Sequence, residues 1–296
     1  MKRNSIQRLY DSIAYHLVSQ TAEPLATRFR SLEQQCPGVV RQIEQDRGRT
    51  GPLPFWGRSK NVDEFEASTI VAPSILELIA VEAGVKMSLV TPHAGLQHTY
   101  GYLFSTIETK YGKKRDRWVE AHLEHGLGQQ ADTFGPEPTH GTLLANATWL
   151  AGHLAFRDER RLAHLQTRLK PRVAPSLLQV QWSKLSILRF VESVHLFSRD
   201  NSPLTISLVT DLLRLPCDNH RLTGNNYLLV YSIRDSRRLH PELITLFLVN
   251  ETFVGDIEAR AKNRRLDDIR PRYNAHVSGF PLTPVVGTCS LTITRG

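Results

Sequence analysis

Residues 96–118 read LQHTYGYLFSTIETKYGKKRDRW, and the fold turns on whether they form a strand or a helix. Tyr, Phe, Thr and Ile dominate the first half, which favours a strand over 99–109. Gly101 in its middle marks a bulge or a close approach of two backbones. As a strand, His98, Tyr100, Tyr102, Phe104, Thr106 and Glu108 share one face, so three aromatic rings stand beside an imidazole and a carboxylate. Leu96, Tyr100, Leu103, Ile107 and Tyr111 also fit a helical stripe. The choice matters to chemistry. A straight strand separates His98 from Glu108 by about 33 Å, at a rise of roughly 3.3 Å per residue. A helix brings them within about 15 Å. Tyr111-Gly112 then signals a turn, and Lys113, Lys114, Arg115 and Arg117 follow with one acid, Asp116. Arg115 and Arg117 alternate, so two guanidiniums could clamp a dicarboxylate through bidentate bonds. The bland alternative is a solvated hairpin tip.

Working outward, residues 1–50 read as helical, with Leu9, Ile13, Leu17, Leu25, Phe29 and Leu32 at near-helical spacing. The Gly- and Pro-rich segment 47–61 reads as a linker or ordered loop, pinned by Phe55 and Trp56. A strand is expected at 67–73. A helix follows at 74–84, with a capping box at Ser74 and Glu77 and a stop at Gly84, and then a strand at 86–90. Further strands are expected at 117–123, 142–156, 204–209, 227–233, 243–249 and 287–294, and helices at 158–170 and 183–199. Strands and helices mix without a regular βαβ alternation, which points to an α+β fold. N-terminal helices lead into a mainly antiparallel sheet or barrel with interspersed helices. The organisation expected is a helical segment and linker over 1–62 and a catalytic domain over 63–296.

The chain has 296 residues, 41% of them hydrophobic and 22% charged, a globular composition large enough for a real core. Its start is basic but lacks the unbroken apolar core of a signal peptide, and no apolar run reaches membrane-helix length. Three scattered cysteines, Cys36, Cys217 and Cys289, suggest neither a disulfide framework nor a metal site and fit the cytoplasm. The net charge of +8 favours anionic partners, but acids interrupt most of the basic knots. A nucleic-acid-binding protein is therefore disfavoured, and no RNP-like, helix-turn-helix or zinc-finger pattern supports it.

Motifs that would name a cofactor are missing. There is no G-x-G-x-x-G opening a helix, no P-loop, no H-E-x-x-H and no G-x-S-x-G elbow. His122 and His125 in 122–126 lack a third ligand nearby, so no metal site is expected. Two further constellations stand out. Arg270, Arg272, Tyr273 and His276 lie together on a Pro-broken segment, the kind of loop that carries sites. His195 and Arg199 are four apart, as on a helix face.

The stretch GLQHTYGYLFSTIETKYGKKRDRW resembles the cucumopine/mikimopine synthases, opine synthases of root-inducing plant-associated bacteria. Bacterial β-carboline-forming Pictet–Spengler enzymes are similar at a greater distance. The family pattern includes a Glu ten residues after a His, a spacing met by His98 and Glu108. It also has an upstream Arg near the substrate carboxylate. This chain has no Arg between Arg58 and Arg115, so that role falls to Lys86 or to a residue elsewhere. The resemblance implies a Pictet–Spengler synthase that joins L-histidine to 2-oxoglutarate without a cofactor or metal. It implies Glu108 as proton acceptor, His98 as positioning group or proton relay, and Tyr100 and Tyr102 as pocket wall. Lys86, Arg115 and Arg117 become carboxylate anchors. A homodimer is compatible with it. The alternatives are a lyase or isomerase acting on an anionic ring compound, or the nucleic-acid-binding protein already disfavoured.

Overall fold

The computed structural model describes residues 3–47, 58–59, 61, 69–84, 96–108, 112–116, 141–155, 163, 167, 169–173, 178, 187–197, 203–214, 227–236, 242–263, 275–276 and 288–295. It begins with three helices, α1 (Arg3–Ser19), α2 (Leu25–Gln35) and α3 (Pro37–Arg47). Tyr10, Ile13, Ala14 and Leu17 form the buried stripe of α1, at i, i+3, i+4 and i+7. The break between α2 and α3 has a local cause. Pro37 disfavours helical geometry at Cys36, which sits at φ −134 and sends its N–H back to the Leu32 carbonyl. Pro37 itself then opens α3, where a missing N–H costs nothing.

Helix α4 (Pro73–Glu82) follows the same logic. Pro73 occupies its first turn and Ala72 precedes it without a side-chain cap bond. The expected Ser74–Glu77 capping box is therefore not the cap, because proline's fixed φ sets the start one residue earlier. Gly84 ends the helix at φ +65, as expected, with its N–H on the Val81 carbonyl.

Residues Leu96–Tyr102 form helix α5, and this corrects the strand expected at 99–109. Tertiary packing outweighs local strand propensity here. A Cβ on Gly101 would stand 3.0 Å from Leu76 Cδ2 and 3.4 Å from Val71 Cγ2, so the glycine lets α5 press onto the α4 region. Its sequence signal was a close backbone approach, realised in a helix. The end of α5 tightens through Leu103, Phe104 and Ser105 N–H groups bonding back three residues. Residues 105–108, which follow, are without helix or turn.

Helix α6 (Leu143–Ala155) replaces the strand expected at 142–156. Ala-rich composition and a Thr142 cap favour the helix, as the site geometry below makes plain.

The sheet contains β2 (Ile187–Phe197), β3 (Pro203–Arg214), β4 (Tyr227–Asp235), β5 (Glu242–Val249) and β7 (Thr288–Arg295). Their order is β5-β4-β3-β2-β7, all antiparallel, and the sheet is open rather than closed into a barrel. The helix expected at 183–199 is strand β2. Its pairing along both edges, with β3 and β7, decides against the helix. A two-residue pair, β1 (Arg58–Ser59) with β6 (Ala275–His276), ties the expected linker to the Pro-broken segment near the C-terminus.

Both faces of the sheet carry apolar residues. Leu228, Val230, Leu246 and Leu248 join the helices in one cluster that also holds Tyr10, Ile43 and Tyr100, so a single core crosses the boundary expected at residue 62. Leu229, Tyr231, Ile233 and Phe247 face the other way, where Phe253 of helix α7 (Glu251–Asn263) packs edge-on against Phe247. Ile244 is an extra residue on β5, since Tyr231 pairs with Thr245 and Ser232 with Leu243. Among the described residues no helix is long and apolar enough to cross a membrane.

Candidate functional site

The most heavily organised polar centre is Asp46, which the sequence reading did not single out. Its carboxylate is 0% exposed. Oδ1 accepts from the Thr142 hydroxyl at 2.6 Å and Oδ2 from the Tyr100 hydroxyl at 2.7 Å. The Leu144 N–H also bonds to it, and the positive field of Arg172 reaches it. Burial nevertheless dominates and pushes its pKa up to about 6, against hydrogen bonds and charge that act downward.

These contacts complete the N-terminus of α6, whose first N–H groups have no partner within the helix. The Leu143 N–H donates to Gln42 Oε1 at 3.0 Å, and the Ala145 N–H to Thr142 Oγ1 at 3.2 Å. With Leu144 on Asp46, all three leading amides are satisfied by buried groups. The negative charge also sits at the positive end of the helix dipole. Gln42 and Asp46 lie four apart on the same stripe of α3 as Val39 and Ile43. Polar residues at apolar positions were the signal that could have found them.

Tyr100 thus belongs to the core. It is 0% exposed, and burial, then the Asp46 charge, raise its pKa well above the ordinary value. Tyr102 is also buried, with the Lys114 ammonium 5.1 Å from its ring centroid. The same ammonium lies 5.6 Å from the Phe247 ring, joining the helical layer to β5. Both tyrosine rings are used inside the protein rather than along one face of a strand.

Arg115 is buried, in a helical turn at 114–116. Its guanidinium bonds to Asp11 through Nη1 and to Asp116 through Nε at 3.0 Å and Nη2 at 2.8 Å. Burial works against its charge, but the two carboxylates outweigh this and raise its pKa. Lys113 reaches Asp11 at 3.7 Å. The basic knot of 113–117 is therefore partly an internal ion-pair network.

Glu108 is exposed, beyond the turn that ends α5. His98 is the third residue of α5, and its description stops at the helical backbone. The straight-strand separation of this pair does not apply, because helix and turn replace the strand between them. Lys86 and Arg117 lie outside the described residues, as do His122, His125, Arg199, Arg270, Arg272 and Tyr273. His195 and His276 lie in β2 and β6.

A second, part-buried ion pair holds the sheet. Arg189 and Asp211 are direct partners across β2 and β3, bonded at 2.5 and 3.0 Å. Ser193 and Ser207, also register partners, share a hydroxyl bond of 2.7 Å. Cys36 is free and buried, and burial pushes its thiol up to about 12, which leaves it a poor nucleophile. Among the described residues no group of three or more His, Cys, Asp or Glu could hold a metal ion. In comparisons with family models, curated proteins and solved structures, nothing matches this chain.

Proposed function

We propose that the chain is an opine synthase of Pictet–Spengler type, joining L-histidine to 2-oxoglutarate. The α-amine condenses with the ketone and expels water, giving an imine. The imidazole carbon attacks the iminium carbon, and loss of the ring proton restores aromaticity. The chemistry needs a base for that proton and cations for the carboxylates, and no hydride donor.

The observation that carries the reading is the placement of the stretch that resembles the family. Its N-terminal part is a helix anchored by Tyr100 and Gly101, and its glutamate, Glu108, is exposed beyond the helix end. An exposed carboxylate on a supported segment suits a proton acceptor for a bound ligand. In this reading Glu108 takes the ring proton and His98 positions or relays. Lys86 and Arg117 hold carboxylates. Arg115, Tyr100 and Tyr102 support the segment instead of touching substrate.

The test is mass spectrometry of the protein with L-histidine and 2-oxoglutarate, with chelator and without reduced nicotinamide. A dehydrated 1:1 adduct stable to acid and borohydride is expected, because a cyclised product resists both and a simple imine does not. No adduct would overturn the reaction. Undiminished turnover in Glu108→Gln would overturn the role of that residue alone.

A further inference from the structure

We propose that Asp46 is a proton-operated latch: ionised, it ties α3 to α5 and α6 together, and protonated, it releases α5. The inference is independent of the reaction. Asp46 meets donors on every side. Tyr100 presents O–H from α5, and Thr142 presents O–H from the start of α6. Leu144 presents N–H. A carboxylate satisfies all three, because it only accepts. A carboxylic acid brings a donor of its own into the same space.

The place of that proton follows from the partners. Thr142 Oγ1 already accepts the Ala145 N–H while giving its own proton to Oδ1. Oδ2 is the oxygen that takes Tyr100, so the acid proton settles there. Tyr100 would then have to accept, yet its oxygen also faces the Leu144 N–H and the Thr142 hydroxyl. The acid proton then points at a phenolic oxygen that is cut off from water, and the Tyr100 proton has lost its acceptor. The weakened link is the one to α5. Among the described residues, the other charged or titratable groups facing the carboxylate are Tyr100 on α5 and Arg172 of the 3-10 turn Lys170–Arg172.

Two effects of opposite sign follow. Burial raises the folded pKa of Asp46 from 3.8 to about 6. The folded state therefore holds the proton more readily than the unfolded chain, and Asp46 favours folding at low pH. That contribution is complete below the unfolded value and is lost as pH rises through the folded one. Between about pH 7.5 and about pH 5 the folding constant gains about tenfold from this residue. Local protection of α5 should move the other way, falling as pH falls.

The experiment is amide hydrogen exchange across residues 96–105, corrected for intrinsic pH dependence, beside urea denaturation over the same pH range. The expected result is faster exchange in α5 at acid pH, with a midpoint near about 6, while global stability rises. Asp46→Asn should abolish the α5 trend and remove the share of the stability trend that Asp46 supplies. Glu82, the other carboxyl raised by burial, is unchanged in that comparison, so its contribution cancels. Tyr100→Phe serves if Asp46→Asn fails to fold. It removes the donor on Oδ2, so the midpoint of the stability transition should rise and the α5 trend should vanish. Protection of α5 that simply follows global stability overturns the latch, as does an unchanged pH profile in the variant.

Discussion

Arg115 is a carboxylate anchor in the expectation drawn from the family resemblance, and its surroundings make a sharper prediction possible. Replacing it and replacing its partners should have unequal costs. The Arg115 side chain is 2% exposed, whereas those of Asp11 and Asp116 are 39% and 29% exposed. Arg115→Met keeps most of the apolar stem and frees two carboxylates that already reach water. Asp11 also keeps Lys113 at 3.7 Å. The loss is then limited to charge-assisted hydrogen bonds, offset by relief of burying a guanidinium, and comes to about 1–2 kcal/mol. The double variant Asp11→Asn, Asp116→Asn leaves the cation buried between neutral amides. Breaking a fully buried pair costs about 3–5 kcal/mol, and the partial exposure of these acids lowers the figure to about 2–4 kcal/mol.

Urea denaturation gives both numbers, provided the slope against denaturant stays constant between variants. Calorimetric titration with 2-oxoglutarate on the same samples separates support from substrate contact. The double variant should be the less stable protein, and Arg115→Met should bind the keto acid as the parent does. The reasoning is refuted if Arg115→Met is the more damaging change. It is equally refuted if that variant keeps its stability and loses keto-acid binding, for then the guanidinium serves the ligand.

Two further perturbations probe the frame around the site. Phe253→Ala should cost about 3–5 kcal/mol, because the ring is 4% exposed and packs on Phe247 behind the sheet. Urea denaturation reads the loss, and a change under about 1 kcal/mol would mean that α7 is not held by this contact. Gly84→Ala should cost about 1 kcal/mol from its positive φ alone, since the clash with Arg47 involves the far end of a flexible chain. A melting temperature equal to the parent's would contradict the left-handed end of α4.

The elements legible in the sequence were those whose signals are local or strictly periodic. Tyr10, Ile13, Ala14 and Leu17 show α1 in their spacing, and β4 and β5 are apolar runs of strand length. Three segments read the other way for one physical reason. At 96–102, 142–156 and 187–197 the local preference is weak, and a distant partner decides. Leu76 seats Gly101, Gln42 and Asp46 cap α6, and β3 with β7 hold β2. Apart from β3, which follows β2 closely in the chain, these partners lie far off in sequence, so no window of adjacent residues contains the whole answer.

The same separation governs the candidate site. Chemistry-bearing residues in 96–118 looked like a single functional face because they are neighbours in the chain. Folding divides them by burial instead. Tyr100, Tyr102 and Arg115 go inward: Tyr100 to Asp46 of α3, Arg115 to Asp11 of α1, and Tyr102 against Lys114 of the same stretch. Glu108 stays outside. Tyr100 can fix where α5 lies, because its bond to Asp46 joins α5 to α3, two helices that share one core. The outward carboxylate can meet a ligand, because it is exposed. Any reaction at this stretch is then served by two kinds of residue with different sensitivities. Changes to the inward set should alter stability and the seat of α5, while on the proposed function a change at Glu108 should lower turnover in a protein that remains folded.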